Sequence, residues 1–138
     1  MELVRAFPDT QFILGHCGGP LGYGPYAGKR DEIFLVWKAS MAELARCPNV
    51  VVKLGGMMMR LAAYDYGALE APPDSARLAE LWRPWIETCI ELFGADRCLF
   101  ESNFPVDKGS YAYAVGWNAM KRIAAGASAE EKADLFWR

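Results

Sequence analysis

Three short apolar runs punctuate the chain, each ending in glycine or polar residues and each followed by a longer stretch of helical period. In the first, Phe12, Ile13 and Leu14 run into His16, Cys17 and Gly18–Gly19, after Pro8 and Asp9 have broken the preceding segment. The second, NVVVKLGG, is β-branched and lies between Pro48 and Gly55–Gly56, with Lys53 as its odd residue. The third, Arg97 to Ser102, breaks into Glu101, Ser102 and Asn103 and is stopped by Pro105. Brief runs bounded by turn residues predict buried strands. If side chains alternate along the first, His16 shares a face with Phe12 and Leu14, and Cys17 shares the other with Ile13.

Helices are predicted after each strand. From Asp31, the residues Ile33, Trp37, Ser40, Met41 and Leu44 recur at helical spacing, with acids first and Arg46 near the end, until Pro48 and Asn49 close the segment. Asp74 or Ser75 caps the next helix, whose apolar face is Leu78, Trp82, Trp85, Ile86, Cys89, Ile90 and Phe93, with Gly94 as a fitting C′ residue. Pro84 lies inside this pattern and is expected to kink or restart it, because proline lacks the amide donor and crowds the preceding turn. SYAYAVGWNAMKRIAAG forms a further helix closed by Gly126, and Ser128 with Glu131 makes a capping box that opens one more. That last helix reaches Leu135, Phe136 and Trp137 without a stop signal, so it reads as unfinished at Arg138.

Strands each followed by a helix predict an α/β fold of parallel strands with right-handed crossovers. Three such units make an open sheet with two edges and apolar surface left uncovered. The 138 residues, 53% hydrophobic and 23% charged, suit one soluble globular domain. A net charge of -2, a pI near 5.4 and the lack of a basic stripe argue against a nucleic-acid or anionic-membrane partner. The start lacks a signal-peptide pattern and no run approaches the roughly 18 apolar residues of a membrane span, so a cytoplasmic location is expected. Cys17, Cys47, Cys89 and Cys98 form no CxxC pair and are expected to be buried free thiols.

The loop from Gly18 to Gly28 carries five glycines, two prolines, Tyr23 and Tyr26, too long and too aromatic for a mere turn. No GxGxxG opens from it into a helix, which speaks against a dinucleotide fingerprint. Met57 to Met59 read as thioethers filling gaps beneath a loop.

Taken together, FPDTQFILGHCGGP, CPNVVVKLGG and FGADRCLFESNFPVDK resemble the amidohydrolase-related (amidohydrolase 2) family of TIM-barrel, metal-dependent hydrolases, specifically its lactonase-like branch. The resemblance spans essentially residues 1–138 and implies the C-terminal third of a (β/α)8 barrel, with the three signatures on strands six to eight. A complete barrel takes about 250 residues. Members begin with a His-x-His pair on the first strand and carry a further ligand or substrate residue on the fifth. Neither has a counterpart here, and His16 is the sole histidine.

Residue by residue, the resemblance assigns His16 to the sixth-strand histidine, which binds metal or contacts substrate; a neutral imidazole could ligate zinc or manganese or donate to a carbonyl oxygen. Asn103 takes the place of the eighth-strand aspartate that ligates metal and handles the proton of the attacking water, a role an amide cannot fill. Glu101, two residues earlier and on the same strand face, is the first candidate carboxylate to replace it, and Asp107, separated from the strand by Pro105, is the second. The alternative for Glu101 is a salt bridge with Lys53 or an arginine. Lys53, if inward, could hold a substrate carboxylate or stabilise an oxyanion. Tyr23 and Tyr26 could wall the substrate side, or simply pack the loop. Asp107 and Lys108 are expected to form a solvated loop pair.

The functional expectation is a piece of a hydrolase that adds water to a lactone or similar cyclic ester or amide, with a small-molecule substrate and the isolated chain inactive. The rival expectations are a non-catalytic α/β module or pseudoenzyme that self-associates through its open sheet edges, and an enzyme assembled from several copies.

Overall fold

The structure, a computed structural model, describes residues 1–57 and 70–137. Strand β1 (Phe12–Leu14), strand β2 (Val50–Leu54) and strand β3 (Cys98–Phe100) form one parallel sheet in the order β1-β2-β3. Its register sets Ile13 beside Val51, and Lys53 beside Leu99. The helices are α1 (Glu2–Ala6), α2 (Arg30–Ala45), α3 (Ser75–Phe93), α4 (Tyr113–Ile123) and α5 (Ala129–Trp137). The chain is thus α/β, three parallel strands in an open sheet with helices, as the apolar runs predict. The short α1 is absent from the sequence reading; a five-residue helix has too little periodicity to announce itself. Met58 and Met59 lie outside the described residues, while Met57 is buried in the core.

Alternation along the strands splits the sheet into two faces. Val50, Val52, Leu54, Cys98 and Phe100 are buried, and α3 and α5 lie against them. Trp85 meets Trp37 and Phe34 edge-on at 4.8 and 4.9 Å between ring centroids, and Phe100 meets Phe136 at 4.8 Å. On the opposite face Ile13 is 65% exposed, and Val51, Lys53 and Leu99 are half-buried. Helix α3 runs unbroken through Pro84, so that residue neither restarts nor ends it. Its start is capped by the Asp74 carboxylate, which accepts from the Arg77 amide at 2.8 Å, and Gly94 closes it at φ 85°. The predicted capping box is present: Glu131 N donates to Ser128 Oγ and Ser128 N to Glu131 Oε2.

At the lower ends of α2 and α3, the Arg97 guanidinium donates to the carbonyls of Ala45, Cys47 and Phe93 at 2.8–3.1 Å. These include carbonyls that a helix end leaves without partners, so one arginine ties two helices to the start of β3. All four cysteines are free and buried, as expected. No helix among the described residues is long and apolar enough to cross a membrane.

Candidate active site

Polar side chains gather where the three strands end. The chain leaving β1 does not continue the alternation. His16, Cys17, Gly18 and Gly19 all take left-handed backbone angles, with φ of 54°, 50°, 74° and 61°. Each non-glycine residue in such a run costs about 1–2 kcal/mol. The turn is held by the Trp37 indole N–H, which donates to the Cys17 carbonyl at 2.7 Å, and by Gly18, whose missing side chain makes room for Met41. The expectation that Cys17 shares the face of Ile13 is therefore corrected. Cys17 is wholly buried while Ile13 is largely exposed, because the left-handed turn ends the two-residue period.

This turn delivers the His16 imidazole to Glu101. Glu101 Oε1 lies 2.6 Å from His16 Nδ1 and also accepts from the His16 backbone N–H at 3.2 Å. The second carboxylate oxygen, Oε2, contacts the Lys53 ammonium. Glu101 is only 9% exposed, whereas His16 and Lys53 keep 33% and 37% of their side chains open. A carboxylate only accepts, so Nδ1 carries a proton, and the lone pair of the uncharged ring form is the one at Nε2.

The contact is possible because the strand between them ends in two glycines. A Cβ on Gly55 would overlap Glu101, and one on Gly56 would overlap the His16 ring; Gly56 also sits at φ 63°. β1 and β3 are not neighbours in the sheet, yet His16 and Glu101 touch across the end of β2.

Beyond Glu101 the chain turns at Asn103, again at a left-handed φ of 52°. Asn103 Nδ2 donates to Asp107 Oδ1 at 2.9 Å, and Tyr111 Oη donates to Asp107 Oδ2 at 2.8 Å. Asp107 is 1% exposed, which corrects the expectation of a solvated Asp107–Lys108 pair; only Lys108 lies in solvent. Burial raises the Asp107 carboxyl above its ordinary value, and the hydrogen bonds from Tyr111 and Asn103 pull it partly back. Asp107 also feels the charges of His16 and Glu101, so this group adjoins the first. The spacing of four between Asn103, Asp107 and Tyr111 is not helical here, because Asn103 is left-handed and Pro105 intervenes, so no helix rule announces the group.

Of the residues singled out from sequence, His16, Lys53 and Glu101 come together, and Asn103 is tied to Asp107 beside them. Lys53 engages Glu101, the salt-bridge alternative for that acid. Tyr23 and Tyr26 are half-exposed in the loop after β1. Tyr26 lines a separate cavity of about 410 Å³ with Gly22, Gly28, Lys29, Arg30 and Asp31, which includes none of His16, Lys53 or Glu101.

Beneath the His16 turn, burial pushes the Cys98 thiol up to about 12, and the hydrogen bond that the Cys89 thiol gives to Cys17, with burial after it, raises Cys89 further. Thiols so held stay protonated and are not nucleophiles. The donor set does not fit a zinc or manganese centre on its own. Catalytic zinc takes three protein ligands. Here Nδ1 and both Glu101 oxygens are engaged and Asn103 gives its nitrogen to Asp107, which leaves His16 Nε2 and Asn103 Oδ1, two donors rather than three. Among the described residues no group of three or more His, Cys, Asp or Glu side chains converges as metal ligands.

Polar groups assembled at the C-terminal ends of parallel strands define an α/β protein of the kind that keeps its site on that edge of the sheet. The amidohydrolase family model matches residues 2–138, and the chain belongs to that family. It is 38% identical over 136 residues to y4mH of Sinorhizobium fredii, covering 99% of this chain and 39% of that protein. It is 27% identical over 122 residues to L-fucono-1,5-lactonase of Burkholderia ambifaria, covering 85% of this chain and 36% of the lactonase. A crystal structure of a Burkholderia multivorans amidohydrolase with bound zinc superposes with a TM-score of 0.80 at 24% identity, covering 97% of this chain and 43% of that one. The chain therefore spans about two fifths of the length of these relatives, as a partial barrel would.

Proposed function

We propose that this chain is the C-terminal portion of an amidohydrolase barrel, contributing strands six to eight, and that the complete protein adds water to the carbonyl of a lactone or similar cyclic ester. The observation that carries the reading is the 2.6 Å contact between Glu101 and His16 Nδ1, which leaves Nε2 as a half-exposed base. Nε2 takes a proton from a water as its oxygen attacks the carbonyl carbon, and Glu101 holds the imidazole in that tautomer and stabilises the imidazolium. The ring C–O bond then breaks, and the imidazolium returns the proton to the departing ring oxygen. Lys53 pairs with the second Glu101 oxygen and places a cation at the mouth, where charge develops on the carbonyl oxygen. The relation to L-fucono-1,5-lactonase supports a sugar-derived lactone as the substrate class.

The isolated chain is expected to lack turnover, because half of a barrel site faces the other strands. The test uses the complete open reading frame that contains this sequence and the 138-residue chain, each assayed by pH-stat with six- and five-membered aldonolactones. His16→Gln in the complete protein should lower kcat/KM by about 10²–10⁴-fold, the range for a general base. Undiminished turnover in that variant would remove His16 from the chemistry. Turnover by the 138 residues alone, abolished by the same change, would retain the hydrolase and discard the partial site.

The bare sheet face around Ile13 favours a second reading, a non-catalytic module that self-associates through its open edges. Sedimentation of the chain as a defined dimer, with no lactone turnover from the complete protein, would select it.

A further inference from the structure

Asn103 is neutral and cannot take a proton, yet the chain invests a buried carboxylate and a buried tyrosine in holding it. Its main chain and side chain are both tied to Asp107: the Asp107 amide donates to the Asn103 carbonyl at 3.2 Å, and Asn103 Nδ2 donates to Asp107 Oδ1 at 2.9 Å. Asp107 is in turn anchored by Tyr111, whose hydroxyl donates at 2.8 Å and whose amide bonds to the Asp107 carbonyl at 3.3 Å. Tyr111 is buried, packs edge-on against Trp82 and Phe104, and lies where a Cβ on Gly116 would collide with its ring. A continuous line of contacts thus runs from the core through Tyr111 and Asp107 to one amide at the strand end.

The consequence is directional. A carboxylate has no proton to give, so the atom of Asn103 that faces Asp107 must be the nitrogen. The carbonyl oxygen Oδ1 is left with no hydrogen bond from the described residues, on a half-buried side chain two positions past Glu101. A water that gives one proton to His16 Nε2 still has a second to place, and it attacks with its lone pair aligned only if that second proton also has an acceptor.

We propose that Asp107 is a positioning residue that locks the Asn103 amide with Oδ1 free to accept the second hydrogen bond of the water that His16 activates. The proposal rests on the hydrolase reading for the water, while the lock itself is independent of it. A locked amide and a charge effect of Asp107 differ in what replaces them. Asp107→Asn can still accept from Asn103 Nδ2 through its own carbonyl while its NH2 turns to the Tyr111 oxygen, so the lock survives without the charge. Asp107→Leu removes the acceptor at similar size and frees the amide.

In the complete protein, Asp107→Leu should lower kcat about 100-fold, the cost of a misplaced reacting group, with KM within about threefold, and Asp107→Asn should restore kcat to within about threefold of wild type. Equal losses in both variants would show a charge role and overturn the proposal, as would full activity of Asp107→Leu. The lock is also read without turnover or mutation, by side-chain amide hydrogen exchange in the 138-residue chain. Asn103 should exchange at least about tenfold more slowly than the exposed Asn118, as a hydrogen-bonded, half-buried amide does. Equal rates sink the lock itself. Slow Asn103 exchange in a protein that hydrolyses no lactone retains the lock and sinks the hydrolase reading instead.

Discussion

On one face of the sheet Val50, Val52, Leu54, Cys98 and Phe100 disappear beneath α3 and α5; on the other, Ile13, Val51, Lys53 and Leu99 of the same strands are exposed or half-buried. Successive residues of one strand therefore carry different duties. Val52 packs and Lys53 reaches the site, because a strand turns its side chains alternately to two sides. The covered face supplies stability through large apolar contacts, and the open face carries a pair of charges that a packed interior would exclude. Parity in the sequence thus separates the residues that hold the molecule together from those that can act.

That division can be broken most sharply on the covered side. Trp85, buried on α3 against Phe34 and Trp37 of α2, should cost about 3–5 kcal/mol when replaced by alanine, the usual loss for a large buried aromatic. A urea titration reads this directly, and a loss below about 1 kcal/mol would mean the covered face is not the source of stability. Gly56→Ala lies at the junction of the two regions. It forces a left-handed alanine and drives its Cβ into the His16 ring, so about 1–3 kcal/mol should be lost. Thermal melting checks it; an unchanged melting temperature would show that the imidazole can leave without cost. The mildest test compares neighbours. Val52→Thr buries a hydroxyl among apolar groups and should cost about 1–3 kcal/mol, whereas Val51→Thr on the open face should stay within about 0.5 kcal/mol. Equal losses would erase the distinction between the faces.

Much of the architecture was readable from residue pattern. The three strands, the long helices, the Asp74 cap and the Ser128–Glu131 box all follow from local periodicity and side-chain chemistry, which act within a few residues. His16, Lys53 and Glu101 were also visible, as polar residues interrupting apolar runs. Long-range conformation was not. The left-handed run from His16 to Gly19 is imposed by Trp37 and Met41, which lie about twenty residues away in sequence, and no local rule reports them. Asp107 was misread for a different reason, since its partners lie only four residues away on either side. Next to Lys108 and past a proline it looks solvated, and only its contacts with Asn103 and Tyr111 bury it. Gly55 and Gly56 read as strand terminators, but their second duty, leaving space between two side chains, depends on residues from both other strands.

The contact that crosses the end of β2 also makes the molecule its own reporter. His16 is the sole histidine, so the aromatic proton spectrum contains one imidazole, and that imidazole follows one edge strand of the sheet and touches Glu101 at the end of the other. Its two ring resonances need no isotope label and no assignment by mutagenesis. A strand, ligand or second copy that settles beside Lys53 and Glu101 will announce itself as a displacement of two lines that nothing else in the chain can produce.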